Sequence, residues 1–359
     1  MSIKIGLLTS GGDCQGLNAA IRAIAKASYE EYGKDVEIYG ILDGYAGLIN
    51  GEYKKMKPED FSGILTLGGT ILGTSRRPYK LMRVIEEDGI DKVKAMKDTY
   101  NKLGLECLMI LGGNGTHKTA NLLSEEGLNV ITLPKTIDND IYGTDITFGF
   151  QSACDIATDV IDRIHSTAYS HKRVFIVEVM GHKVGWLNLY AGIAGGADVI
   201  LIPEIPYNID KIAEVIDTRI KNGKRFTIIA AAEGIKSEAE SKMSKKEYKA
   251  YLASLKNPSV AFRLSDELGK ITRCETRPVV LGHFQRGGGP CSYDRILCTQ
   301  LGMAAVRLLK EKKYGNMVGV HNGKFVPVPL KEVAGKLKKV PVDGELIRGL
   351  KDMGISFGV

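Results

Sequence analysis

The sequence predicts an α/β protein with two doubly wound domains, each built on a mainly parallel sheet with helices on its faces. Short apolar, β-branched runs recur along the 359 residues, and each is followed by helical periodicity. Several of these runs end in glycine-rich loops of only a few residues, and the same alternation restarts after residue 150. Alternating strands and helices with such short connections are typical of parallel sheets.

In the first half the pattern predicts strands at 3–9, 36–41, 107–111 and 130–133, with helices at 18–32, 87–103 and 118–126. In the second half it predicts strands at 173–179, 199–202, 226–232, 276–281 and 317–321, with helices at 151–166, 184–194, 208–222 and 293–310. The lysine-rich segment 237–257 is predicted to be a helical insertion on the surface.

The composition is that of an ordinary soluble protein, with 44% apolar and 25% charged residues. No apolar run approaches the roughly 20 residues of a membrane span, and the N-terminal segment lacks the features of a signal peptide. The six cysteines are scattered without a CxxC spacing, which favours thiols in a reducing compartment. We therefore expect a cytoplasmic protein with no membrane partner.

The net charge of +7 could indicate a nucleic-acid partner, but the distribution of charge argues against one. The lysines of segment 236–249 alternate with acidic residues, and no compact basic patch contains aromatic residues. A modest positive excess also suits phosphorylated small molecules.

Two glycine loops connect a predicted strand to a helix. The first glycine loop is residues 10–13 and the second glycine loop is residues 112–116. Loops of this kind bring backbone N–H groups and the positive end of a helix close to phosphate oxygens. The first glycine loop has neither the dinucleotide-binding nor the P-loop pattern, so it is a weak signal by itself.

The stretch VITLPKTIDND, residues 130–140, is the most informative in the chain. A strand buried on both faces ends at Pro134 and is followed by Lys135, Thr136, Asp138 and Asp140. Open α/β sheets bind ligands at the carboxyl ends of their strands. The alternative interpretation is a solvated loop in which one aspartate caps a helix.

Further polar residues follow other strands and glycine turns: Arg76, Arg77, His283 and Arg286. The chain shows no Ser–His–Asp order, no HExxH and no cysteine nucleophile in a known setting. Phosphoryl transfer needs donors around phosphates, cations, a metal and a carboxylate that accepts a proton, and this chain has residues for each.

Seven segments resemble, in order and over nearly the full length, the 6-phosphofructokinase family. They are SGGDCQGLNAAIR, GGTILGTSRRP, GGNGT, PKTIDND, the segment from SHKR to EVMG, AAEG and ETRPVVLGHFQRGG. The resemblance implies two doubly wound α/β domains of the phosphofructokinase type, with the active site in the cleft between them. It implies a donor-binding domain at 1–149 plus 285–335 and a fructose-6-phosphate-binding domain at 150–284 plus 336–359.

The resemblance also implies an activity. Members of the family are kinases of glycolysis that transfer a phosphoryl group, with Mg²⁺, to the 1-hydroxyl of fructose 6-phosphate. The donor is ATP or pyrophosphate. A homo-oligomer, in the form of a homotetramer, is implied as well.

Residue roles are implied position by position. Asp138 is expected to be the base, with Gly12, Arg76, Thr136 and Lys135 acting on the transferring group. The residues expected to bind the sugar phosphate are Thr136, Asp138, Arg173, Met180, Gly181, His182, Glu233, Arg277, His283 and Arg286, with Arg173 reaching a neighbouring subunit's site. Those expected at the donor site are Gly12, Tyr45, Arg76, Arg77, Gly113, Asn114, Gly115 and Thr116, and those expected to bind the metal are Asn114 and Asp140.

This chain departs from the family pattern at two positions. Asn114 stands where most members have an aspartate near Mg²⁺, and a neutral amide is a weaker ligand for a hard cation. His182 replaces an arginine and loses its permanent charge.

The donor is predicted from two residues that point in opposite directions. Pyrophosphate users commonly have an aspartate at the position of Gly115, where it blocks the α-phosphate of a nucleotide. A lysine at the position of Lys135 is a feature of pyrophosphate users. It also occurs in an ATP-using branch that has glycine at the position of Gly115. We expect ATP, with pyrophosphate as the alternative.

Two other functions compete with this one. NAD and lipid kinases have a similar second glycine loop but lack PKTIDND and the segments that bind the 6-phosphate. A non-catalytic sugar-phosphate sensor would fit Asn114 and His182. The presence of Asp138, Arg76 and Gly12 argues against a sensor, because these residues act on the transferring group.

Overall fold

The computed structural model describes residues 2–87 and 89–359, and the predicted α/β fold class is confirmed. The strands of the described residues are β1 (Ile3–Ser10), β2 (Val36–Ile41), β3 (Tyr53–Met56), β4 (Cys107–Gly112), β5 (Val130–Pro134), β6 (Val174–Val179), β7 (Val199–Leu201), β8 (Thr227–Ala232), β9 (Thr276–Val280), β10 (Asn316–His321) and β11 (Lys324–Pro329). The helices are α1 (Leu17–Tyr32), α2 (Tyr45–Asn50), α3 (Lys92–Leu103), α4 (Asn114–Glu125), α5 (Phe150–His171), α6 (Trp186–Ala194), α7 (Ile209–Lys221), α8 (Glu238–Ser241), α9 (Lys245–Ser254), α10 (Val260–Ile271), α11 (Ser292–Lys310), α12 (Leu330–Val333) and α13 (Glu345–Asp352).

The chain folds into two compact units that each contain one sheet. Unit 1 comprises the chain up to Ser152 together with Arg286–Lys338, and unit 2 comprises Ala153–Gln285 and Lys339–Val359. Each unit is therefore formed from two separate stretches of the sequence.

The sheet of unit 1 has seven strands in the order β11-β10-β5-β4-β1-β2-β3. The five strands from β10 to β2 are parallel, and β11 and β3 are antiparallel edges. The chain goes from β1 to β2 on one side and later returns to β4 on the other, so the strand order reverses between β1 and β4. Such a reversal opens a crevice at the carboxyl ends of the two strands, where open α/β sheets bind ligands.

The central strands of unit 1 form its core. Every residue of β4 and β5 is buried, as expected for parallel strands covered by helices on both faces. A close-packed sheet of this kind fixes where each strand ends, so the loops that follow start from a rigid platform.

Unit 2 contains a smaller sheet of four parallel strands in the order β7-β8-β6-β9. Strand β8 is buried throughout, while β9 lies at an edge and has no fully buried residue. The predicted surface insertion is confirmed, because segment 237–257 contains α8 and α9, and α9 buries no residue.

Two helix starts differ from the sequence prediction by more than two residues. Helix α4 begins at Asn114 and not at residue 118, so the end of the second glycine loop is the first turn of the helix. Helix α3 begins at Lys92 and not at residue 87, because Gly89 has a positive φ of 67° and Asp91 caps the helix. Among the described residues, no helix combines the length and hydrophobicity that spanning a membrane would require.

Candidate active site

The first glycine loop lies between two guanidinium groups at the carboxyl end of β1. The N–H of Gly11 donates to the carbonyl of Ser75 at 3.1 Å, which holds the segment before Arg76 against the loop. A Cβ on Gly12 would lie 2.9 Å from Nη2 of Arg76 and 3.1 Å from Nη1 of Arg286. The backbone of Gly12 is therefore flanked by two permanent cations, an arrangement that suits the oxygens of a phosphoryl group.

Lys135 connects the end of β5 to both glycine loops. Its buried Nζ donates to the carbonyl of Gly12, and its backbone N–H donates to the carbonyl of Gly112 at 3.0 Å. Burial lowers the pKa of Lys135 below its ordinary value, and the nearby charge of Arg286 acts in the same direction.

The second glycine loop enters the N-terminus of α4, a helix of 12 residues whose positive end points toward the strand ends. Two hydrogen bonds fix Thr116, one from the hydroxyl of Tyr45 to its carbonyl at 2.9 Å and one from its own Oγ1 to the carbonyl of Ser10 at 3.4 Å. Gly115 is exposed, and a Cβ built on it would have no neighbour within 4 Å outside its own helix backbone and chain neighbours. The surface at Gly115 is therefore open.

Asn114 and Asp140 lie side by side after the carboxyl ends of β4 and β5. Nδ2 of Asn114 donates to Oδ2 of Asp140 at 2.7 Å and to the carbonyl of Asp140 at 3.2 Å. Oδ1 of Asn114 is buried and has no hydrogen-bond partner among the described residues.

The two residues fit the way proteins bind Mg²⁺. No group of three or more His, Cys, Asp or Glu side chains within residues 2–87 and 89–359 could hold a metal. Magnesium is usually bound by one or two carboxylates together with substrate phosphates and waters. A carboxylate and an unpartnered amide oxygen match that limited set of protein ligands.

The TIDND loop, residues 136–140, is fixed by its own hydrogen bonds. Oγ1 of Thr136 accepts from the N–H of Asp138 at 3.1 Å, and Oγ1 of Thr147 donates to the carbonyl of Thr136 at 2.7 Å. Asp138 is partly exposed, whereas Thr136 and Asp140 are buried. The loop therefore gives the Asp138 side chain access to solvent from a rigid backbone.

In unit 2, several predicted site residues lie at the carboxyl ends of β6, β8 and β9. They are Met180, Gly181, His182, Glu233 and His283. Backbone hydrogen bonds join these loops, since Glu233 donates to Val179 at 2.9 Å and Gly234 donates to Gly181 at 3.2 Å. The side chains of His182 and His283 are exposed at this end of the sheet.

Two arginines lie at the opposite end of the same sheet. Arg173 precedes β6 and Arg277 is the second residue of β9, where it pairs in register with Phe175. Nε of Arg173 and Nη2 of Arg277 both contact the carboxylate of Glu275. Strand β6 has six residues at about 3.3 Å each, so roughly 20 Å separates this arginine pair from Met180.

Comparison with known proteins gives the same family that the motifs indicate. The family model described as phosphofructokinase matches residues 4–309. An "ATP-dependent 6-phosphofructokinase" of Spirochaeta thermophila is 55% identical over 98% of this chain and 97% of its own length. Another of that name, from Propionibacterium freudenreichii, is 47% identical over all of both chains.

The chain belongs to the phosphofructokinase family. A solved structure, Pichia pastoris phosphofructokinase in the T-state, is 34% identical with a TM-score of 0.77. The alignment covers 93% of this chain but only 35% of that longer chain. The predicted family resemblance is confirmed.

The structure corrects one of the contacts expected for this family member and leaves another as a prediction. Tyr45 was expected to line the donor site, but its ring is 1% exposed and its hydroxyl supports Thr116 from within the core. Arg277 and His283 were both expected to bind the 6-phosphate; they lie at opposite ends of the unit 2 sheet, and their binding of one phosphate stays a prediction.

Sequence reasoning missed the partners that hold these side chains. Glu275 pairs with both arginines, and Lys338 binds the TIDND loop. Glu275 directly precedes β9 and lies two residues before Arg277, a spacing that places both side chains on the same face of extended chain and could have indicated their pairing. Nothing in the sequence near Lys338 indicates its contact with a loop almost 200 residues earlier.

Proposed function

We propose that this protein phosphorylates fructose 6-phosphate at its 1-hydroxyl, with ATP as the donor, to give fructose 1,6-bisphosphate in glycolysis. One observation carries the proposal. In unit 1, the two glycine loops and the TIDND loop follow the carboxyl ends of the adjacent strands β1, β4 and β5. Two guanidinium groups lie beside Gly12 in the first of these loops. The relatives at 47–55% identity, which are named ATP-dependent 6-phosphofructokinases, support the substrate and the donor.

Each of four residues of unit 1 has a separate proposed role in phosphoryl transfer, besides the N–H of Gly12. The partly exposed carboxylate of Asp138 accepts the proton of the 1-hydroxyl as that oxygen attacks the γ-phosphorus of ATP. The bond from the γ-phosphorus to the β–γ bridging oxygen breaks at the same time, and ADP leaves. The N–H of Gly12 and the guanidinium of Arg76 stabilise charge on the transferring group. Arg286 adds a second cation next to Gly12, and Oγ1 of Thr136 accepts from the backbone N–H of Asp138 and so holds the base in place.

We propose that Asp140 and Asn114 hold Mg²⁺ together with the phosphates of the donor. The unpartnered Oδ1 of Asn114 and the carboxylate beside it support this assignment. The bound ion would neutralise charge on the donor phosphates.

The choice of ATP over pyrophosphate rests on the open space at Gly115. Outside its chain neighbours and the backbone of its own helix, no atom lies within 4 Å of a Cβ built there, so the loop leaves room for a nucleotide. Gly113, two residues earlier, and Arg77 are proposed to line the same donor site. Lys135 is already engaged with the carbonyl of Gly12, so its ammonium holds the loop as well as contributing charge.

The donor assignment is tested by measuring kcat/KM for ATP and for pyrophosphate at saturating fructose 6-phosphate and Mg²⁺. The wild type should use ATP far better. Gly115→Asp, which fits without a steric clash, should lose most ATP use because its carboxylate repels the α-phosphate. A wild type that prefers pyrophosphate would refute the donor, and the absence of fructose 1,6-bisphosphate with either donor would refute the function.

We propose further that unit 1 binds the donor and unit 2 binds fructose 6-phosphate in a homotetramer. Met180, Gly181, His182, Glu233 and His283 would contact the sugar phosphate from one subunit. Arg173 and Arg277 would reach the 6-phosphate in a neighbouring subunit's site. The distance of roughly 20 Å between the two ends of the unit 2 sheet supports this division, because one sugar phosphate cannot touch both.

We also propose a cytoplasmic location for the enzyme. ATP and sugar phosphates are substrates found inside the cell, and the scattered cysteines suit a reducing compartment.

A further inference from the structure

The ammonium of Lys338 binds three oxygens around the TIDND loop. It donates to Oδ1 of Asn139 at 2.8 Å and to the carbonyls of Thr144 and Asp145 at 3.0 and 2.7 Å. A lysine ammonium has three N–H donors, so these acceptors match its capacity. Lys338 is also the last residue of unit 1 before the chain continues into unit 2.

The backbone around Lys338 holds the same loop. Its N–H donates to the carbonyl of Asp140 at 2.9 Å, and the preceding Leu337 forms an antiparallel bridge with Ile141. The segment 337–338 thus contacts residues 139–145 through both its backbone and a charged side chain. This is a tight connection between parts of the chain almost 200 residues apart.

Asn139 has an uncommon backbone conformation that these contacts hold in place. Its φ of 51° lies in the left-handed region, which residues other than glycine rarely adopt. Its Oδ1 accepts from Lys338 and also from the N–H of Thr147 at 3.1 Å. Two donors on one side-chain oxygen hold the turn that lies between Asp138 and Asp140.

We propose that Lys338 is a positioning residue for phosphoryl transfer, which acts by fixing Asn139 and hence the directions of the Asp138 and Asp140 side chains. This inference rests on the proposed role of Asp138 as the base. Lys338 itself is not expected to touch either substrate. Its loss should therefore impair the chemical step and leave the binding of substrates nearly unchanged.

The main test is Lys338→Met, which keeps the length of the side chain and removes its three donors. We expect kcat to fall about 10- to 100-fold, as when supporting groups around a reacting centre are removed. The KM values for fructose 6-phosphate and ATP should stay within about threefold of wild type, since a loss confined to kcat marks an effect on the transition state. The exposed neighbour variant Lys339→Met is the matched control and should behave like wild type.

A second variant gives an independent measurement through the acceptor. Asn139→Gly accepts the left-handed backbone readily but removes the side-chain oxygen. It should lower kcat in the same way, and Lys338→Met combined with Asn139→Gly should lose clearly less than the product of the two single losses, because both variants remove the shared contact between Lys338 and Asn139. Unfolding temperatures measured for all variants ensure that kcat refers to folded protein.

Three outcomes would overturn the inference. The first is a kcat within about twofold of wild type for Lys338→Met, or for Asn139→Gly if the lysine variant does not fold. The second is a double variant whose kcat loss is the product of the two single losses. The third is an Asp138→Asn variant, assayed in parallel, that keeps its activity, which would remove the proposed base as well. An inactive Asp138→Asn beside a fully active Lys338→Met would refute only the role of Lys338.

Discussion

The sheets of the two units present their functional side chains differently. In unit 1, the glycine loops and the TIDND loop all follow the carboxyl ends of adjacent strands. In unit 2, five predicted site residues share the carboxyl edge, while Arg173 and Arg277 lie with Glu275 at the other end. Loops at the carboxyl ends of adjacent strands can form one reaction centre. A sheet with functional side chains at both ends of its strands can contribute to two sites in an oligomer.

The largest effect should come from removing the proposed proton acceptor of unit 1, Asp138. Asp138→Asn keeps the size of the side chain but cannot accept the proton of the 1-hydroxyl. We expect kcat to fall by about 10²- to 10⁴-fold with little change in fructose 6-phosphate binding. Steady-state kinetics together with a direct binding measurement would check this. A variant that retained about a tenth of the wild-type kcat or more would not fit a base at this position.

Removal of an arginine from the far end of unit 2 should affect binding and not the chemical step. Arg277→Ala loses charge-assisted hydrogen bonds worth about 1.5–3 kcal/mol each, so the KM for fructose 6-phosphate should rise about 10- to 100-fold. The KM for ATP should be unchanged. The control is Arg273→Ala, an exposed arginine four residues earlier. An unchanged KM for fructose 6-phosphate would exclude Arg277 from the phosphate site.

Acid should destabilise unit 1 through a histidine next to its second glycine loop. His117 is fully buried, and burial first, with the charge of Lys135 second, lowers its pKa to about 3. Between its unfolded pKa of about 6.5 and this value only the unfolded chain binds the proton. Stability is therefore lost as pH falls through this window, by up to about 1.4 kcal/mol per pH unit.

The test is the free energy of unfolding in urea at pH 7 and pH 5, compared between wild type and His117→Leu. The variant should lose about 2 kcal/mol less between the two values, because the histidine that protonates on unfolding is gone. His171→Gln, a change at an exposed histidine, should keep the wild-type dependence. Equal pH dependence in His117→Leu and wild type would contradict the assigned pKa.

The smallest effect concerns the carboxylate that holds the arginine pair. Glu275 is 47% exposed and contacts both Arg173 and Arg277, so it competes with a phosphate for the same guanidinium groups. Exposed ion pairs are worth about 0.2–1 kcal/mol, so Glu275→Gln should lower the KM for fructose 6-phosphate by at most about fivefold. A rise in this KM would mean that Glu275 orients the arginines and does not compete.

Sequence patterns predicted the candidate site where its loops directly follow buried strands. Glycine loops after apolar strands predicted the ligand-binding end of the unit 1 sheet. Apolar runs predicted most of the strands, and helical periodicity predicted most of the helices. The antiparallel strands β3 and β11 were not predicted, because each has only one buried residue and therefore little apolar pattern. The burial of Tyr45, the position of Arg277 and the contacts of Lys338 depend on tertiary packing, which local sequence does not encode.

The division of unit 2 between two sites is tested most directly by mixing two inactive or impaired variants, Arg277→Ala and Asp138→Asn. If the arginine serves a neighbouring subunit, hybrid oligomers contain sites with both an intact Asp138 and an intact Arg277. We predict that co-refolded mixtures regain activity at low fructose 6-phosphate, where each variant alone is weak. If Arg277 acts within its own subunit, every site keeps one defect, and a mixture no more active than the sum of its parts would contradict the account.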